Sequence, residues 1–126
     1  MDVLDKAGRA IGDVVAKARE RERLRIEDRL RQLDRLEEEA RRLVVEGKRR
    51  AGYTWDLPVE EARHTMIAAS AAIGDEELVA HVDELVRIEI PISPDLAAPV
   101  AELDRCFRAV VARLAEVRRE TLSDTD

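Results

Sequence analysis

The sequence predicts an all-α protein, an antiparallel four-helix bundle with a long, protruding, coiled-coil-like N-terminal helix. Three observations carry this. Apolar residues recur at spacings of three and four with almost no strand-like alternation. Chain breakers cluster in three places, Gly52 to Pro58, Gly74-Asp75 and Pro91 to Pro99, and so leave four helical segments. Aromatic residues make up only 2% of the chain, so a core must come from Leu, Val, Ile and Ala, as in helix-on-helix packing.

The first helix is predicted from about Val3 to about Arg50. Val3, Ala7, Ile11, Val14 and Ala18 repeat at three and four, and after a charged gap the stripe resumes at Ile26, Leu30, Leu33, Leu36, Ala40, Leu43 and Gly47. No proline interrupts it, although Gly8 and Gly12 weaken its start by about 1 kcal/mol each relative to Ala. Within it, RERERLRIEDRLRQLDRLEEEARRL (residues 19–43) holds nine arginines and eight acids. Glu27-Arg31, Glu37-Arg41, Glu38-Arg42 and Glu46-Arg50 are spaced by four in the favourable orientation, each contributing ~0.3 kcal/mol.

Asp56 is placed to cap the second helix, with Pro58 in its first turn, where a missing N–H does no harm. That helix is predicted from about Leu57 to Ile73, with Gly74 as a left-handed terminator. Its segment MIAASAAIG, residues 66–74, is apolar or small nearly all round, which hints at burial on more than one side, including a face used between copies. Asp75 caps a third helix carrying Leu78, Val79, Val82, Leu85 and Val86, expected to fade near Ile90. Glu76 and Glu77 suit its dipole. The fourth helix is expected to begin at Pro94 or, better, at Pro99. Its set Val100, Leu103, Phe107, Val110, Leu114, Val117 and Thr121 follows a heptad register.

Length then separates extension from bundle. At 1.5 Å per residue the first helix reaches roughly 70 Å, the fourth roughly 35 Å and the middle two roughly 22–25 Å each. The bundle can cover only the C-terminal half of the first helix. The expected organisation is a helical extension over residues 1–24, a bundle over 25–122 and a frayed acidic tail at 123–126.

Charge and composition narrow the function classes. Net charge is −6. Residues 1–52 carry 15 basic and 12 acidic groups, and residues 53–126 carry 7 and 16. A dedicated nucleic-acid binder shows a clearly positive domain, so nucleic acid is an unexpected partner. The single cysteine, Cys106, precludes an internal disulfide and fits a reducing cytoplasm. Asp2, Lys6, Arg9 and Asp13 run through the apolar positions of MDVLDKAGRAIGDVVAKA, so no signal-peptide core is expected. A membrane-surface helix would want Trp or Phe and a lysine-rich face, which this segment lacks.

Enzyme readings lose on inventory. Glu61-Ala62-Arg63-His64 has the Glu-x-x-His spacing of di-iron bundles, but no second such motif exists to complete a site. His64 falls opposite Val59, Ala62 and Met66 and reads as a surface residue. His81 reads as core-boundary packing, and Cys106 as a small buried hydrophobe. The glycines are scattered, so none cradles a phosphate, and Ser70 and Ser93 lack a nucleophile-elbow context. No cofactor, metal or catalytic residue is expected. Lys48, Arg49 and Arg50 followed by Tyr53 and Trp55 form the best polyanion candidate. The plainer reading is three cations offsetting a helix dipole and an indole plugging the bundle's end.

The order of an arginine-rich helix, a break, AAIGDEELVAHVDELV and a closing amphipathic helix, over residues 20–120, resembles small helical-bundle proteins of unknown function from GC-rich bacteria. In many of those a membrane anchor precedes the arginine-rich segment. The resemblance implies a helical bundle and a role in tethering or assembly. The residues themselves lead to a non-enzymatic interaction module that self-associates, most simply as a dimer, through Val3, Ala7, Ile11, Val14, Val15 and Ala18. A helix of another protein is a further candidate partner. The alternative is a membrane-peripheral or nucleic-acid-proximal adaptor using residues 1–50, and a cryptic metal protein or enzyme ranks last.

Overall fold

The computed structural model describes residues 3–49, 57–89 and 97–123, with side chains over 8–48, 60–89 and 97–123. Four helices account for nearly all of them: α1 (Val3–Arg49), α2 (Leu57–Ile73), α3 (Glu76–Val86) and α4 (Ala97–Ser123). The described residues contain no strand. Around the bundle α1 packs against α2 and α4, and α3 packs against the same two, so α1 and α3 stand on one diagonal. Three cross-helix contacts set the antiparallel sense of α1 and α4. Arg29 meets Thr121, Arg118 meets Asp34 and Glu37, and Lys48 meets Asp104.

The core is aliphatic. Leu33, Leu36, Ala40, Leu43 and Val44 of α1 face Met66, Leu78, Val82, Leu85, Leu103, Val110, Leu114 and Val117. Burying one such Leu or Val contributes about 1.5–3 kcal/mol, so these positions fix which face of each helix turns inward. Ser70 and Thr121 are the polar side chains buried among them. Each hydroxyl is satisfied within its own helix, Ser70 donating to the Ile67 carbonyl at 3.0 Å and Thr121 to the Val117 carbonyl at 2.8 Å.

The helix ends follow local chemistry. Gly74 has φ +76°, the left-handed conformation that closes α2. Asp75 caps α3, its carboxylate accepting the Leu78 N–H at 2.9 Å. The expectation that α3 fades near Ile90 is corrected: it ends at Val86, with the Ile88 N–H reaching the Leu85 carbonyl at 3.3 Å in a tightened last turn. The described part of the fourth helix begins at Ala97, ahead of the start expected at Pro99, and Pro94 lies outside the described residues. Pro99 falls in its first turn, where backbone N–H groups have no intrahelical acceptor to lose. The cap expected at Asp56 and the tail 124–126 lie outside the described residues.

One core assignment also changes. The heptad reading placed Phe107 in the α4 seam, but Cys106 is buried there and Phe107 is only half-buried against the core's edge. The inward set is Leu103, Cys106, Val110, Leu114, Val117 and Thr121. At 3.6 residues per turn Cys106 and Phe107 flank the line through Leu103, Val110, Leu114 and Val117 on opposite sides, so the packing of the neighbouring helices chooses between them.

Candidate functional site

Among the described residues, nothing packs beside the N-terminal part of α1. Every described side chain from Gly8 to Arg21 is exposed, and the helix meets its first neighbours near Ile26 and Arg29. Ile11 is 65% exposed, Val14 62% and Val15 42%, with Ala18 in the same row. Val3 and Ala7 belong to the same helix, but their side chains lie outside the described residues. A Cβ placed at Gly8 or Gly12 would meet nothing within 4 Å. In the single protomer these glycines leave hollows beside the branched side chains.

The row is not randomly oriented. Residues 18 apart in an α-helix are separated by roughly five whole turns and lie in line. Val15 therefore stands in line with Leu33, Ala18 with Leu36, and Ile11 with Arg29. The exposed stripe and the buried seam are one face of one helix, covered by α2 and α4 only at its C-terminal end.

Arg29 marks where cover begins. Its Nε donates to Thr121 Oγ1 at 3.3 Å and its Nη1 to the Ile73 carbonyl at 3.1 Å, tying α1 to the ends of α4 and α2. This arginine was missed in the sequence, although its place four residues before Leu33 and seven before Leu36 is a seam spacing. Beside it a cleft of about 350 Å³ opens, bounded by Glu22, Arg25, Ile26, Asp28, Arg29 and Glu120.

Many of the charges of residues 19–43 pair along the helix or across the bundle. Arg23 pairs with Glu20, and Arg25 with Glu22 at 2.7 Å. Arg41 meets Glu37 at 3.8 Å, as the spacing suggested, whereas Arg42 turns to Glu39 at 3.8 Å. Arg118 crosses from α4 to Asp34 at 2.9 Å and Glu37 at 3.0 Å.

The other candidates are scattered. Lys48 is bound to Asp104 at 2.6 Å, which ties this cation of the basic cluster to α4. The Arg49 side chain, Arg50, Tyr53 and Trp55 lie outside the described residues. Glu61 and His64 are exposed on α2, and His81 is half-buried on α3. Among the described residues no three His, Cys, Asp or Glu side chains converge as metal ligands would. Burial pushes the Cys106 thiol above its ordinary value, against the lowering influence of Arg105. The segment MIAASAAIG divides cleanly: Met66, Ser70 and Ile73 point inward, and Ile67, Ala68, Ala71 and Ala72 are exposed.

Among the described residues no helix is long and apolar enough to cross a membrane. The arrangement offers a helical apolar face and a polar cleft at its root. Compared with protein-family models, curated proteins and solved structures, the chain matches none.

Proposed function

We propose that this chain is a non-enzymatic helical interaction module, acting in the cytoplasm, that self-associates through the exposed N-terminal half of α1. One observation carries the reading: Ile11, Val14 and Val15 stand open to solvent in line with the core seam. Helices in proteins draw most of their stability from packing of an apolar face, and no described residue of the protomer packs on this length of α1. A row of exposed branched side chains marks a contact surface. The same segment carries both protrusions (Ile11, Val14, Val15) and hollows (Gly8, Gly12, Ala18), so it complements itself. A second copy therefore fits it, in an isologous pair closed by a two-fold axis.

Sedimentation of the full chain and of a chain lacking residues 2–18 tests the reading. The full chain is expected to be a dimer at ~100 μM, a concentration that saturates a micromolar association. The shortened chain is expected to be a folded monomer. A full-length monomer with α1 intact by circular dichroism would sink the proposal. Salt-sensitive binding to anionic vesicles that the deletion abolishes would favour the membrane-peripheral role in its place.

A further inference from the structure

We propose that the two N-terminal extensions pair antiparallel, placing the two bundles at opposite ends of a shared helix pair. This rests on the self-association reading and adds its orientation, which follows from the geometry of one protomer.

The stripe and the core seam share a face: Val15 lines up with Leu33 and Ala18 with Leu36, each pair roughly five turns apart. The helix between them is unbroken from Val3 to Arg49 and contains no proline to bend it. A partner helix seated on Ile11, Val14 and Ala18 lies about 8–10 Å from the α1 axis. If it ran parallel, it would continue along the same face into the ends of α2 and α4. Those ends are fixed there by the bonds of Arg29 to the Ile73 carbonyl and Thr121. A parallel pair through this face therefore collides with its own bundles.

An antiparallel partner escapes the collision. Its α1 begins where the first protomer's bundle begins, and its own bundle lies beyond the other end of the stripe. The cleft at the bundle's mouth stands where the incoming helix start arrives. Its lining sets three acids, Glu22, Asp28 and Glu120, against Arg25 and Arg29, and that excess of one negative charge suits the partial positive charge of a helix N-terminus. The two-fold axis gives each protomer the same contact, so both clefts are used alike.

Pulsed dipolar spectroscopy of spin labels on the full-length dimer tests the orientation. Single cysteines replace Asp13 or Arg31, both exposed on α1, in a Cys106→Ala background. Should that background lose its cooperative melt, Cys106 is kept and labelling is brief, because burial slows its reaction relative to an exposed cysteine. Asp13→Cys lies near the middle of the stripe, so its two labels should sit within about 35 Å of each other in either orientation. Arg31→Cys separates the alternatives. Antiparallel pairing puts its labels roughly 50–65 Å apart, and parallel pairing brings them within about 35 Å. Short distances at both positions overturn the antiparallel arrangement and leave the dimer standing. An absence of intermolecular signal at both positions overturns the dimer itself.

Discussion

Arg113 and Asp75 form a two-pronged bridge between α4 and the start of α3, with Nε to Oδ1 at 2.9 Å and Nη2 to Oδ2 at 2.6 Å. The same carboxylate caps α3 through the Leu78 N–H. One side chain thus starts a helix and fastens it to its neighbour. Glu77, Glu116 and Glu120 gather around the same guanidinium.

Asp75→Ala should destabilise the fold by about 1–2 kcal/mol, chiefly through loss of the cap. Asp75→Asn retains a capping oxygen and should lose less. The pH dependence has a definite sign. The Arg113 hydrogen bonds hold the Asp75 carboxyl below its ordinary value. A depressed folded-state value contributes stability that is present above the unfolded value of about 3.9 and is lost as pH falls through the folded one. Thermal melts should therefore show the advantage of the parent chain over Asp75→Asn shrinking below about pH 4. An advantage that stays constant into strong acid would mean the bridge contributes nothing.

Leu114 and Phe107 lie on the same helix with different burial, Leu114 fully buried and Phe107 half-buried at the core's edge. Leu114→Ala should cost about 2–5 kcal/mol, since it removes apolar volume and leaves a cavity. Phe107→Ala should cost less, despite the larger side chain removed. Urea unfolding of the two variants decides the order, and a larger loss at Phe107 would put the ring back in the seam.

Cys106 is a buried thiol whose ionisation is opposed by its burial. A thiol reagent attacks the thiolate, so both access and ionisation slow the reaction. At mildly alkaline pH the native chain should react at least roughly tenfold more slowly than the chain in concentrated urea. Equal rates would show that the α4 seam opens readily. The test also checks the exchange of places between Cys106 and Phe107.

The sequence by itself determined the four helices and most of their inward faces. The spacing of Leu33, Leu36, Ala40 and Leu43 admits one buried side, because a helix repeats every 3.6 residues and each leucine gains by leaving water. Gly74 and Asp75 marked one boundary outright, since a left-handed residue followed by a capping carboxylate leaves the chain little choice. The exposure of Ile11, Val14 and Val15 was legible too, from length alone: helices as short as α2 and α3 cannot reach along the whole of α1.

Tertiary structure decided what depends on a neighbour's position. Cys106 displaced Phe107 because the two flank the α4 seam on opposite sides, and only the placement of α1 and α3 chooses between them. Arg29 joined the seam because the Ile73 carbonyl and Thr121 Oγ1 happened to end beside it, and no spacing rule announces an acceptor on another helix. Arg118 became a clamp on Asp34 and Glu37 for the same reason. Periodicity fixes which way a side chain points. What it meets there depends on where the other helices stop, and that is settled only when they pack.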